Sequence, residues 1–151
     1  MSALSTAANI SGLVGLADVV FRATTQICLL IKQASSAPAS AVELVAVVQS
    51  LAAVVVEVRV WTVEYGRSRF AQEDGQSVSD GIKNALVSCK GRLCELSQQL
   101  RGVFHGKRNG WVERLKSGVG FALSEAQIRH SVQMVVHYQM ALKGLLLVHA
   151  G

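Results

Sequence analysis

The stretch Ala41–Tyr65, AVELVAVVQSLAAVVVEVRVWTVEY, decides how this chain folds. Its second half, VVVEVRVW (54–61), alternates β-branched residues with Glu57 and Arg59, which is the pattern of a half-buried strand. The full stretch carries a different period. Leu44, Val47, Val48, Leu51, Val54, Val55, Val58 and Trp61 recur at steps of three and four, lining up one face of an α-helix. A strand accounts for the second half only, whereas a helix accounts for all of it, so the spacing predicts a helix over 41–65. Ser40 ahead of it and Glu43 three residues on have the spacing of a capping box.

The same period extends on both sides. Upstream, Leu13, Leu16, Val20, Thr24, Ile27 and Ile31 define a helix over 6–33, with Asp18 and Arg22 four apart and able to pair on its other face. Between these helices ASSAPAS (34–40) holds the only proline, Pro38, and reads as a loop. Downstream, GRSRFAQEDGQ (66–76) is polar and glycine-flanked, again a loop. A third helix starts between Ser77 and Asp80 and runs to Phe104, with a seam of Ile82, Leu86, Cys89, Leu93, Leu96, Leu100 and Val103. HGKRNG (105–110) breaks it. A short helix (111–121) and a long one (125–149) follow. Ser124 caps the long one, and Glu125 sits in its first turn, where the helix dipole favours an acid. Ile128, Val132, Val135, Val136, Met140, Leu142, Leu146 and Leu147 make it core-facing over much of its surface. The expected fold is all-α: one domain over 1–151, a bundle of four long helices plus one short helix joined by short loops.

Composition agrees. The chain has 151 residues, the size of one ordinary domain, and half of them are hydrophobic, too many for a disordered chain. Mean hydropathy is +0.35 and the isoelectric point is near 9.5. A net charge of +5 suits an anionic partner, although solubility of a very apolar chain explains it as well. Cys28, Cys89 and Cys94 form an odd set without CxxC spacing, which fits buried thiols in a reducing compartment. The N-terminal twenty residues have no basic residue before the apolar run and carry Asp18 inside it, unlike a secretory signal.

The sequence offers no residues for enzyme chemistry. There is no GxxxxGK[ST] phosphate loop, and SGLVG (11–15) lies inside a helical pattern. Of His105, His130, His137 and His149, only His130 and His137 share a helix face, two turns apart, too far for a routine shared metal. Glu64 with Glu73, and Glu113 with Glu125, read as solvated surface charge. The expectation is therefore a non-enzymatic protein with no catalytic, cofactor-binding or metal residues, and with no nucleic-acid partner.

Three features discriminate further. The N-terminal segment is long, apolar and rich in small residues, among them Gly12 and Gly15. About 20 residues span a bilayer core, but Asp18 and Arg22 would each cost roughly 2.5 to 3.5 kcal/mol to insert. It reads as a buried bundle helix or as a membrane-acting segment, and the glycines as sites of close helix approach or of conformational change. KRNGWVERLK (107–116) is basic around Trp111, suited to anionic headgroups, or else merely a solvated face. The chain stops at VHAG straight after a helix, as an N-terminal module does when further domains follow.

In this order the features resemble the HeLo-like (SesA-type) N-terminal domains of fungal STAND, or NOD-like, receptors. The matching pieces are AANISGLVGLADVVFRATTQICLLI, the small-residue loop ASSAPAS, AVELVAVVQSLAAVVVEV, VSCKGRLCELSQQL and GWVERLKSGVGFALSEAQIRHSVQMVVHYQMALKGLLLV. The last holds the basic-aromatic set Arg108, Trp111, Arg114 and Lys116, then Glu125, then Lys143 with Leu145 to Leu147. The resemblance implies a helical bundle that executes programmed cell death or heterokaryon incompatibility in innate immunity. Such a domain would be cytoplasmic when inactive and would oligomerise and permeabilise the plasma membrane on activation. The membrane-active segment would be residues 4–31, with Leu4, Ile10, Gly12, Leu13, Gly15, Leu16, Val20 and Phe21. Lys107, Arg108, Trp111, Arg114 and Lys116 would contact anionic lipid headgroups, and a nucleotide-binding domain would follow downstream. The alternative class is a non-enzymatic adaptor or oligomerisation bundle that recruits a protein partner.

Overall fold

Apolar residues at three-four spacing cover one stripe of every long segment, and the chain buries those stripes against each other. The computed structural model describes residues 3–34, 37–72, 75–105 and 123–149. These form α1 (Ala3–Gln33), α2 (Ala39–Arg69), α3 (Gly75–His105) and α4 (Glu125–His149). The fold is an all-α bundle, and VVVEVRVW is helical throughout. The short helix expected over 111–121 lies outside the described residues.

Helices α1, α2 and α3 are each 31 residues long, about 46 Å at the usual rise. α1 packs on α2 and α3, and α4 packs on the same two, so the order around the bundle is α1, α2, α4, α3. α1 and α2 run antiparallel. Cys28 Sγ lies 4.0 Å from the Val45 carbonyl at one end. Asp18 and Arg59 meet at 3.1 Å midway, and Ile10 lies against Gly66 at the other end. α1 and α3 run parallel, since Ala8, Gly12 and Leu16 share one hollow with Ser79 and Lys83. α3 and α4 are antiparallel: Gly81 lies beside Leu145, and Leu96 shares a hollow with Ser131.

The core runs the length of this arrangement. Val20 and Ile27 of α1, Leu44, Val48 and Leu51 of α2, Ile82 and Leu86 of α3, and Ile128 and Leu142 of α4 are all buried. Each such side chain contributes roughly 1.5 to 3 kcal/mol through lost apolar exposure. Buried hydroxyls turn back on their own helix: Thr62 Oγ1 donates to the Val58 carbonyl at 2.7 Å, which satisfies the group without a partner helix.

Several expectations are corrected. α2 begins at Ala39 with Pro38 as its N-cap, which is extended at φ −71° and makes no side-chain cap bond. Ser40 therefore sits inside the first turn, where its hydroxyl cannot act as the cap, and its buried Oγ has no partner among the described residues. GRSR (66–69) is the last turn of α2 and not a loop. Phe70, fully buried, packs edge-on against Trp61 at 5.9 Å and donates its backbone N–H to the Gly66 carbonyl at 2.8 Å. Burying that ring outweighs the roughly 1 kcal/mol that a helical glycine costs. Asp18 pairs across the interface with Arg59, not along α1 with Arg22. Met140 and Leu147 are exposed, because α4 meets the bundle along the Ile128, Val135, Leu142 and Leu146 stripe, flanked by Val132, Tyr138 and Leu145. The Ser124 cap is present and belongs to a full box. Gln127 N–H donates to Ser124 Oγ at 3.2 Å, and Ser124 N–H donates to Gln127 Oε1 at 2.8 Å.

Candidate functional site

The residues singled out along α1 divide by helix face. Leu13 and Val20 are core, on the stripe that meets α2 and α3. Ile10 and Leu16 are partly buried and pack against that core. Leu4 lies in the first turn of α1, but its side chain is outside the described set. Gly12, Gly15 and Phe21 face solvent. An added Cβ at Gly12 or Gly15 would meet nothing within 4 Å, so neither glycine serves close helix approach. That role belongs to Gly66, where an added Cβ would sit 3.1 Å from Ile10 Cγ1 and 3.2 Å from the Phe70 ring. Lys107, Arg108, Trp111, Arg114 and Lys116 lie outside the described residues.

Beyond its apolar stripe, α1 is tied to α2 by the Asp18–Arg59 pair. Both side chains are at least a third exposed, and such a pair is worth at most about 1 kcal/mol. α1 is thus held by burial. Beside the pair, Phe21, Thr25, Cys28, Leu29 and Lys32 of α1 form an open groove of about 290 Å3 with Gln49 and Ala52 of α2. Phe21 and Leu29 are exposed on its rim.

The thiols separate by burial. Cys28 and Cys89 are buried, but Cys94 is exposed, contrary to the expectation of core thiols. Five residues turn the helix through about 500°, which leaves Cys94 about 140° around from Cys89 and off the seam. Burial raises the Cys28 thiol above its ordinary value, with Lys32 pulling the other way. Burial pushes Cys89 up to about 12. Neither is a ready nucleophile, because the thiolate is the reactive form. Among the described residues no group of three or more His, Cys, Asp or Glu is placed to hold a metal ion. His130 lies by Arg92 and Glu95, and His137 packs edge-on to Tyr138 at 5.8 Å.

One surface escaped the reading of the sequence. α2 is apolar on its outer side too, with Val42, Val56, Val60 and Val63 exposed. Both α1 and α2 are long and apolar enough to cross a membrane, and α2 is the more apolar of the two. The signal was present: Val42, Ala46, Ala53, Val56, Val60 and Val63 form a second stripe opposite the one through Leu44 and Leu51. A stripe search that stops at the first solution passes over it.

No family model, no curated protein and no solved structure matches the chain.

Proposed function

We propose that this bundle is a cell-death effector domain of the HeLo-like kind, which self-associates and acts on the plasma membrane through α1. The observation that carries the proposal is the division of α1. One face is core, and the rest of the circumference presents Phe21 and Leu29 partly to solvent and Gly12 and Gly15 with open space beside them. A helix used only as a bundle wall has no need for apolar side chains or paired glycines there.

Energetics support a regulated act. Leaving the bundle uncovers Leu13, Ala17, Val20, Ile27 and Ile31, which costs on the order of 10 kcal/mol in water at roughly 2 kcal/mol for each large side chain. In acyl chains the same residues are buried again. The remaining opposition is then Asp18 and Arg22, at roughly 2.5 to 3.5 kcal/mol each, together with the faces of α2 and α3 that α1 leaves uncovered. Release in water is negligible and release at a membrane is within reach of a trigger. In this reading the domain is cytoplasmic until triggered by a downstream nucleotide-binding domain. The basic stretch 107–116 would bring Lys107, Arg108, Trp111, Arg114 and Lys116 to anionic headgroups, each cation contributing about 1 kcal/mol.

Dye leakage from vesicles containing anionic lipid tests the proposal. Wild type should leak them, and the double variant Ser11→Lys/Thr25→Lys, at exposed positions of α1, should lose leakage at an unchanged Tm. Wild-type protein that never leaks vesicles, even when artificially oligomerised, would leave the adaptor reading in its place. The apolar outer side of α2 favours that second reading, since it is a surface for protein contact.

A further inference from the structure

On α2 the solvent-facing residues Val42, Ala46, Gln49, Ala53, Val56, Val60 and Val63 are spaced alternately by four and three, and every one of them is exposed. This is the a/d repeat of a coiled coil over three heptads, about 32 Å of helix. A straight helix drifts about 20° per heptad against such a repeat, so a lone outer face has no reason to keep it. The helix carries a second seam of the same period, Ala41, Leu44, Val48, Leu51, Val55, Val58 and Thr62, which is buried in the bundle. One seam has its partner and the other does not.

We infer that the outer seam of α2 is the contact surface for a second copy of this chain, docked with the two α2 helices parallel about a two-fold axis. Charge selects both the partner and the direction. On one flank of the seam lie Glu43, Glu57 and Glu64, all exposed, at intervals of fourteen and seven residues. On the other flank lie Arg59 and, across the groove, the face of α1 that carries Arg22 and Lys32. Asp18, bonded to Arg59, offsets one of those three cations.

In a parallel pair each flank meets the opposite flank of the other copy. Glu64 of one copy then stands across from Arg59 of the second. Glu43 stands level with Lys32, because Cys28, one turn before Lys32, is level with Val45. In an antiparallel pair the glutamate rows would face each other and repel. Gln49, the polar member of the seam, meets its own equivalent only in the parallel register, and such a polar pair fixes alignment. The groove rim adds Phe21 and Leu29 to the apolar area beside the seam. This surface gives the proposed self-association a location; it rests on sedimentation, whereas the effector reading rests on leakage, so either can fail alone.

The experiment is sedimentation equilibrium of the full chain together with cysteine cross-linking. Wild type should give a species of twice the 16.1 kDa chain mass. Val56→Glu/Val60→Glu should raise the dimer dissociation constant by about 100-fold or more, because two carboxylates from each copy are then buried unpaired. Helical content should be unchanged, since both positions face away from the core, and Tm should fall only by what dimerisation adds to wild type. Should that variant unfold, Glu43→Lys/Glu57→Lys/Glu64→Lys alters only exposed flanking residues and should weaken the dimer about 10-fold.

With Cys94→Ser as background, Val42→Cys and Val63→Cys should each form a disulfide between copies. An antiparallel pair would hold both ends about 30 Å apart and link neither. A wild-type monomer at every concentration overturns the inference, as does a dimer indifferent to both glutamate and lysine variants. A monomer that floats with vesicles through this seam overturns it in favour of lipid.

Discussion

Replacing Gly12 and Gly15 with alanine separates the two uses of α1 with the least disturbance to packing. Both positions lie on the solvent side of a continuous helix, and a Cβ at either would meet nothing within 4 Å. No steric term opposes the gain in helix propensity, up to about 1 kcal/mol per site. For a chain of this length 1 kcal/mol moves Tm by roughly 2 to 4 °C. Each variant should therefore melt up to about 2 to 4 °C higher than wild type, and the double variant up to about 4 to 8 °C higher. Thermal unfolding followed by circular dichroism at 222 nm measures it, with vesicle leakage and cell viability assayed on the same preparations. Under the proposed effector reading, leakage and killing should fall while stability rises, because the glycines would then serve the freedom of α1 to change conformation. A lower Tm in either single variant would refute the packing argument by revealing a close contact at that site. Undiminished leakage in the more stable double variant would refute the role given to the glycines.

Gly66→Ala should lower Tm, opposite in sign to Gly12→Ala, because its Cβ must displace Ile10 and the Phe70 ring; overpacking of this kind costs about 1 to 3 kcal/mol. Gly75→Ala should be worse, since an added Cβ overlaps the Phe70 backbone, which shifts less readily than a side chain. Native-state labelling with a thiol reagent should modify Cys94 fast and Cys28 and Cys89 only on unfolding, as mass spectrometry of the labelled chain will show. The folded value of Cys89 is raised to about 12 from 9.0, so its contribution to stability is complete below pH 9 and is lost as pH rises toward 12. Wild type should lose stability over that window more steeply than Cys89→Ala, by up to about 1.4 kcal/mol per pH unit in urea titrations. Ser124→Ala should cost about 1 kcal/mol by removing the cap of α4, and a Tm unchanged from wild type would count against the box with Gln127.

What the sequence alone determined is local. A three-four repeat of apolar residues makes a helix whatever surrounds it, so all four long helices, the helical state of VVVEVRVW and most of the buried stripe on each could be read directly. The Ser124 cap could be read for the same reason, since donor and acceptor lie within three residues. The tertiary structure decided everything that depends on a second element. Asp18 had Arg22 four residues away, but the antiparallel register of α2 brought Arg59 to it instead. Gly66 reads as a helix breaker until Phe70 is seen buried against Trp61, which keeps the last turn of α2 helical. Met140, Leu147 and Cys94 have core chemistry yet face solvent, because a bundle neighbour covers only part of a helix's circumference. Which part is covered depends on how the helices are arranged around one another. The same partial coverage leaves the outer seam of α2 open: periodicity can announce that a helix has two apolar faces, and only packing assigns one to the core and leaves the other exposed.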